Sequence, residues 1–82
     1  MEAMEKLIDI ANRAVADYGF RQAVLYGVAD IARRWSLTEA ETVHLAGPVL
    51  AELSNLPIPV QPADVPAEQA KIADIVRGLF LS

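Results

Sequence analysis

The chain has 82 residues, 54% of them apolar, with no cysteine and a formal net charge of −4. That length holds one small domain. The missing cysteines exclude disulfides and thiolate metal sites, and scattered basic residues in an acidic chain argue against a nucleic-acid partner.

No apolar run approaches the ~20 residues of a membrane-spanning helix. The N-terminus is mixed in charge and lacks the basic leader and apolar stretch of a secretory signal. The expectation is a soluble, cytoplasmic chain with no membrane contact. Its fold class is all-α: a small bundle of four to five short helices with a proline-rich strap before the last.

The first helix is predicted over residues 3–16, with Met4, Leu7, Ile8, Ala11 and Val15 as its apolar stripe. Asp9 and Arg13 stand four apart in the favourable acid-first order. Gly19 is expected to close this helix in a left-handed conformation. A second helical stretch opens near Phe20, where Phe20, Val24, Val28, Ile31 and Trp35 recur at spacings of three and four. Gly27 interrupts it, so the stretch is either one helix or two hinged at Tyr26–Gly27, and the hinge is favoured. Arg33–Arg34 reads as a solvated helix face. Tyr18, Phe20, Tyr26 and Trp35 read as core aromatics, with Trp35, beside a turn, also a candidate docking residue.

Thr38 and Glu41 form a T-x-x-E capping box that starts a third helix. Val43, Ala46, Leu50 and Leu53 are its expected inner face, Gly47–Pro48 a kink or break, and Asn55 its end. Four prolines between 56 and 66 favour an extended strap along which Leu56, Ile58 and Val60 alternate. The last helix opens at Asp64 or Val65, with Ala67, Ala70, Ile72, Ile75, Val76, Leu79 and Phe80 on its apolar face. Asp74 and Arg77 are expected to point outward.

Chemistry-bearing patterns are sparse. His44 is the single histidine, with no second ligand to share a metal. Ser36, Ser54 and Ser82 have no base nearby in sequence, and no phosphate-binding or nucleophile-elbow pattern occurs. The carboxylates Glu39, Glu41 and Glu52 are accounted for by capping and solvation. The expectation is therefore a protein that is not an enzyme, carries no cofactor and acts through a protein partner, with the oligomeric state left open.

Residues 8–45 carry a more specific pattern. Arg13–Ala14–Val15 precede the turn, Phe20–Arg21 open the next helix, and Val24–Leu25 and Ile31–Ala32 follow. Trp35 and Leu37–Thr38–Glu39 with Glu41 complete it. This stretch resembles the helical domain of the Os1348-like, nitrile-hydratase-leader-related clan, which shares its pattern with the small LigA-type subunit of ring-opening dioxygenases. Gly27–Val28 stand where that family has an acidic residue followed by proline, and no Gly–Gly cleavage signal is present.

Members of the clan commonly serve as precursors of ribosomally made, post-translationally modified peptides. The resemblance implies a recognition domain over 1–56 gripped by a modifying enzyme, with Phe20, Arg21, Trp35 and Leu37 as partner contacts. It further implies a tether over 57–66 and a modified segment within 67–82, with Ile75, Val76, Leu79, Phe80 and Leu81 as candidates. Beyond Thr42 there are two serines and no cysteine. Backbone N-methylation, as in split borosin systems, therefore leads over side-chain chemistry, with epimerisation and radical coupling open. The rival readings are a helical inhibitor or adaptor, as phages encode, and a LigA-like accessory subunit of a larger enzyme.

Overall fold

The computed structural model describes residues 2–58 and 60–81, with side chains over 4–58 and 60–80; Pro59 and Ser82 lie outside the described residues. Helix α1 spans Glu2–Ala16, α2 Tyr18–Tyr26 and α3 Val28–Arg34. A continuous rod follows, made of α4 (Glu39–His44), a π turn (Leu45–Val49) and α5 (Leu50–Ser54). After the strap, a 3₁₀ turn at Pro62–Asp64 leads into α6, Val65–Leu81. Among the described residues there is no strand, as the helical periodicity predicts.

Asp17 separates α1 from α2 without a glycine cap. Its backbone is extended and its carboxylate accepts from the Phe20 amide at 3.3 Å, so one residue ends one helix and caps the next. Gly19, expected to close α1 with positive φ, instead lies inside α2, and no glycine among the described residues has positive φ.

The expected hinge does fall at Gly27 (φ −144°, ψ 46°). A Cβ there would lie 3.0 Å from the Ala23 carbonyl oxygen, so close chain approach selects glycine.

The turn after α3 is a Schellman motif. The Leu37 amide donates to Ala32 O at 2.8 Å and the Ser36 amide to Arg33 O at 3.2 Å. Ser36 takes the left-handed position (φ 55°). Lys6 Nζ donates to Ser36 O at 3.3 Å, which ties the turn to α1. Beyond it the capping box forms as read: Glu41 N donates to Thr38 Oγ1, and the Glu41 carboxylate accepts from Thr38 N. Asn55 ends the rod, also as read.

Pro48 does not break the rod. It has no N–H for the His44 carbonyl, and the chain widens into a π turn in which Leu50 N donates to Leu45 O, five residues back. This changes the buried face. A step of four residues overshoots an α-helical turn by about 40°, whereas the wider π turn undershoots, so Glu41, Leu45, Val49 and Leu53 all point inward. The expected face of Val43, Ala46, Leu50 and Leu53 holds at Leu53 and, in part, at Leu50, which packs half-buried against the core. Val43 is 66% exposed, Ala46 is exposed, and Leu50 is half-buried.

The core joins Leu7, Ile10, Ala11, Ala14 and Val15 of α1 to Val24, Ile31, Leu45, Val49 and Leu53. Leu56 and Val60 of the strap and Ile72 and Val76 of α6 belong to the same cluster. One core thus runs through the segments 1–56, 57–66 and 67–82. Helix α6 lies chiefly against α1, where Gln69 Nε2 donates to Asn12 O at 3.0 Å.

Ser36 offers a clean test of the Schellman turn. Ser36→Gly removes the steric cost of a left-handed β-carbon and should raise stability by about 1 kcal/mol. Urea denaturation checks this, with an unchanged or lower midpoint counting against the turn.

Candidate partner-binding surface

Arg21 sits at the centre of the candidate surface. It lies on α2, is 2% exposed, and turns its guanidinium inward. Nη2 donates to Pro57 O at 2.7 Å and Nη1 to Leu53 O at 3.4 Å. The guanidinium carbon stands 4.8 Å from the centroid of the Tyr18 ring, close enough for cation–π attraction. Nε is buried and has no hydrogen-bond partner. Among the described residues no carboxylate forms an ion pair with Arg21. The acceptors around this buried cation are therefore neutral.

Tyr18, Gln22 and Tyr26 follow at steps of four along α2, and Gln22 Nε2 donates to Tyr18 Oη at 3.3 Å. Tyr26, expected in the core, is 85% exposed. It lies five residues beyond Arg21, about 7.5 Å along the helix axis. Ile58, next to the Pro57 that Arg21 grips, is 70% exposed, although Leu56 and Val60 flanking it are buried. The strap's alternation thus buries its two end residues and turns the middle one outward. Tyr26 on α2 and Ile58 on the strap are thus both turned to solvent.

The other expected contact residues divide differently. Phe20, Trp35 and Leu37 are each half-buried and packed against the core. Trp35 is covered from one side by Arg13, whose guanidinium carbon lies 5.4 Å from the ring centroid. Arg13 therefore sits over an indole, and no Asp9–Arg13 ion pair forms among the described residues. Arg33 and Arg34 are exposed and share Asp30, at 2.7 and 3.0 Å, as a solvated face should. Arg21 and Trp35 lie on different supports, the first under the strap and the second against α1.

Within the candidate modified segment, Val76 is fully buried and Ile75, Leu79 and Phe80 are half-buried. The Leu81 side chain lies outside the described residues. Phe80 meets His44 at 5.0 Å between ring centroids, in an edge-to-face arrangement. Asp74 and Arg77 pair at 2.9 Å on the outer side, as expected.

Among the described residues no group of three or more His, Cys, Asp or Glu is placed to hold a metal ion. No described helix is long and apolar enough to cross a membrane.

Sequence spacing alone did not reveal the exposure of Tyr26 and Ile58. A tyrosine immediately before the Gly27 break and an isoleucine bracketed by prolines were the signals available. No family model matches the chain, and no curated protein or solved structure matches it.

Arg21→Lys keeps the buried charge but cannot span both carbonyls with one compact ammonium. The loss of a hydrogen bond to a charged group predicts about 1.5–3 kcal/mol of destabilisation, measured by urea denaturation. Amide exchange over 56–64 should rise more than exchange in α1. Equal rises throughout the chain would mean that Arg21 does not specifically hold the strap.

Proposed function

We propose that this chain is a protein-binding module whose contact surface is the outer stripe of α2 together with the strap. The observation that carries the reading is the outward exposure of two large apolar side chains, Tyr26 on α2 and Ile58 beside the Pro57 whose carbonyl the buried Arg21 holds. Tyrosine is among the residue types that dominate protein interfaces.

Photo-crosslinking in the native cell tests it. A benzophenone side chain at position 26 or 58 should give an adduct of one common partner, and the same group at the exposed Asp74 should not. No adduct from either position, or identical adducts from all three, would overturn the reading.

A second reading is the modified-peptide precursor implied by the family resemblance, with a backbone N-methyltransferase as the leading partner. It draws support from the order of the elements, a strap followed by an aliphatic terminal helix, and from the half-burial of Leu79 and Phe80 near its end. Such a precursor must present residues 75–81 in extended form.

Deleting 67–82 separates the two. The module reading expects the truncated chain to lose cooperative unfolding, because Ile72 and Val76 are fully buried in the shared core. A truncated chain that stays folded, with a sharp thermal transition, would put the precursor first.

A further inference from the structure

Basic residues that lie far apart in the sequence converge on the turn between α3 and α4. Lys6 of α1 donates from Nζ to Ser36 O at 3.3 Å, and Arg13 of α1 holds its guanidinium carbon 5.4 Å from the centroid of the Trp35 ring. Seven residues make two helical turns less about 20°, so both cations leave one face of α1, about 10 Å apart along its axis. Arg33 and Arg34 immediately precede the turn. Four of the seven lysines and arginines of an acidic chain thus adjoin one turn. The same turn holds the single tryptophan, half-buried against the core.

These four charges are unevenly answered. Arg33 and Arg34 share Asp30. Lys6 and Arg13 form no ion pair among the described residues, although Asp9 stands between them on α1 and Glu39 opens α4. Glu41 is turned inward to the capping box. Lys6 uses one of its three N–H donors on a backbone carbonyl, and Arg13 makes no side-chain hydrogen bond among the described residues. Both are nevertheless held in place, one by the carbonyl and the other by the indole face. Side chains ordered in the free chain lose less freedom when they bind.

We propose that the face formed by Lys6, Arg13 and the Trp35–Leu37 turn binds an acidic segment of a partner protein, with carboxylates on the two cations and the exposed part of the indole as the apolar contact. This surface is additional to the one that contains Tyr26 and Ile58 and does not depend on it. Charge complementarity selects the partner. A nucleic acid needs a longer basic track, and here two of the four cations are already matched to Asp30. A carboxylate suits both an ammonium and the planar guanidinium fork, and tryptophan and arginine are enriched among residues that dominate protein interfaces.

Trp35 is the only tryptophan in the chain, so its fluorescence reports the site directly. The intact chain is titrated with acetyl-Glu-Leu-Glu-Leu-Glu-amide, whose carboxylates line one side when it is extended. The controls are acetyl-Gln-Leu-Gln-Leu-Gln-amide and a short oligothymidylate. The glutamyl peptide should shift the emission saturably and bind about tenfold tighter than the glutaminyl one, the combined effect of two ion pairs at a protein surface. At about 1 M salt, where charges are screened beyond about 3 Å, that preference should vanish. It should also vanish in the double variant Lys6→Gln, Arg13→Gln. Arg77→Gln, which removes a pair confined to α6, should leave it intact.

Equal binding of the two peptides by the wild-type chain would overturn the proposal, whatever the variants do. So would an oligothymidylate that binds tighter than the glutamyl peptide, or a charge preference that survives the double substitution. A dimer of the chain alone, seen in sedimentation and dissociated by the double substitution, would assign this face to a second copy and overturn the proposal as well.

Discussion

The contact between Arg21 and the carbonyls of Leu53 and Pro57 fixes how the second half of the chain is laid on the first. Desolvating a guanidinium costs several kcal/mol, and each hydrogen bond it makes to a carbonyl returns about 1.5–3 kcal/mol. The balance is close to zero, so Arg21 contributes direction more than stability. It draws the chain leaving α5 across the face of α2, which lets Leu56 and Val60 enter the core. From there the 3₁₀ turn sends α6 back along α1. A lysine would carry the same desolvation cost with fewer bonds, whereas an apolar residue would leave the strap without a fixed path.

The rod presents Leu53 to Arg21 in the right orientation because of Pro48. In an unbroken α-helix, the three steps of four from Glu41 to Leu53 would rotate the face by about 120°. The π turn winds that face back, keeping Glu41 at the capped end and Leu53 at the strap end on one inner line. Glu41 is buried because its carboxylate completes the capping box, so the polar end of the line is satisfied by the Thr38 backbone. Phe80 of α6 meets the rod at His44, where the π turn begins. The proline thus aligns two distant contacts on one rod.

What could be read from the sequence was what neighbouring residues decide among themselves. The capping box at Thr38, the hinge at Gly27, the end at Asn55 and the start of α6 all depend on side chains within four residues. The misread faces depend on partners far away. The stripe expected on α1 was too narrow because α1 is packed by both α2 and α6, so Ile10 and Ala14 are buried as well. Val43 was placed inside by assuming uniform α-helical winding, and the π turn invalidates that assumption. Arg21 reads as a surface residue on any helical wheel. Its burial is set by carbonyls 32 and 36 residues further on, which no local pattern encodes.

The placement of α6 bears on which part of this chain can move. A fold of this size has a total stability of roughly 4–12 kcal/mol. Fully burying Ile72 and Val76 contributes roughly 1.5–3 kcal/mol each, and lifting α6 would also uncover the α1 side chains beneath it. Releasing the last helix therefore consumes most of what holds the domain together. The middle of the strap is different in kind. Pro57 and Ile58 are exposed, Leu56 and Val60 are buried, and Arg21 donates a side-chain hydrogen bond to Pro57 O. A conformational change there exchanges one hydrogen bond and leaves the packing of α1 against α6 intact. The energetics thus favour a domain that keeps its terminal helix packed on α1.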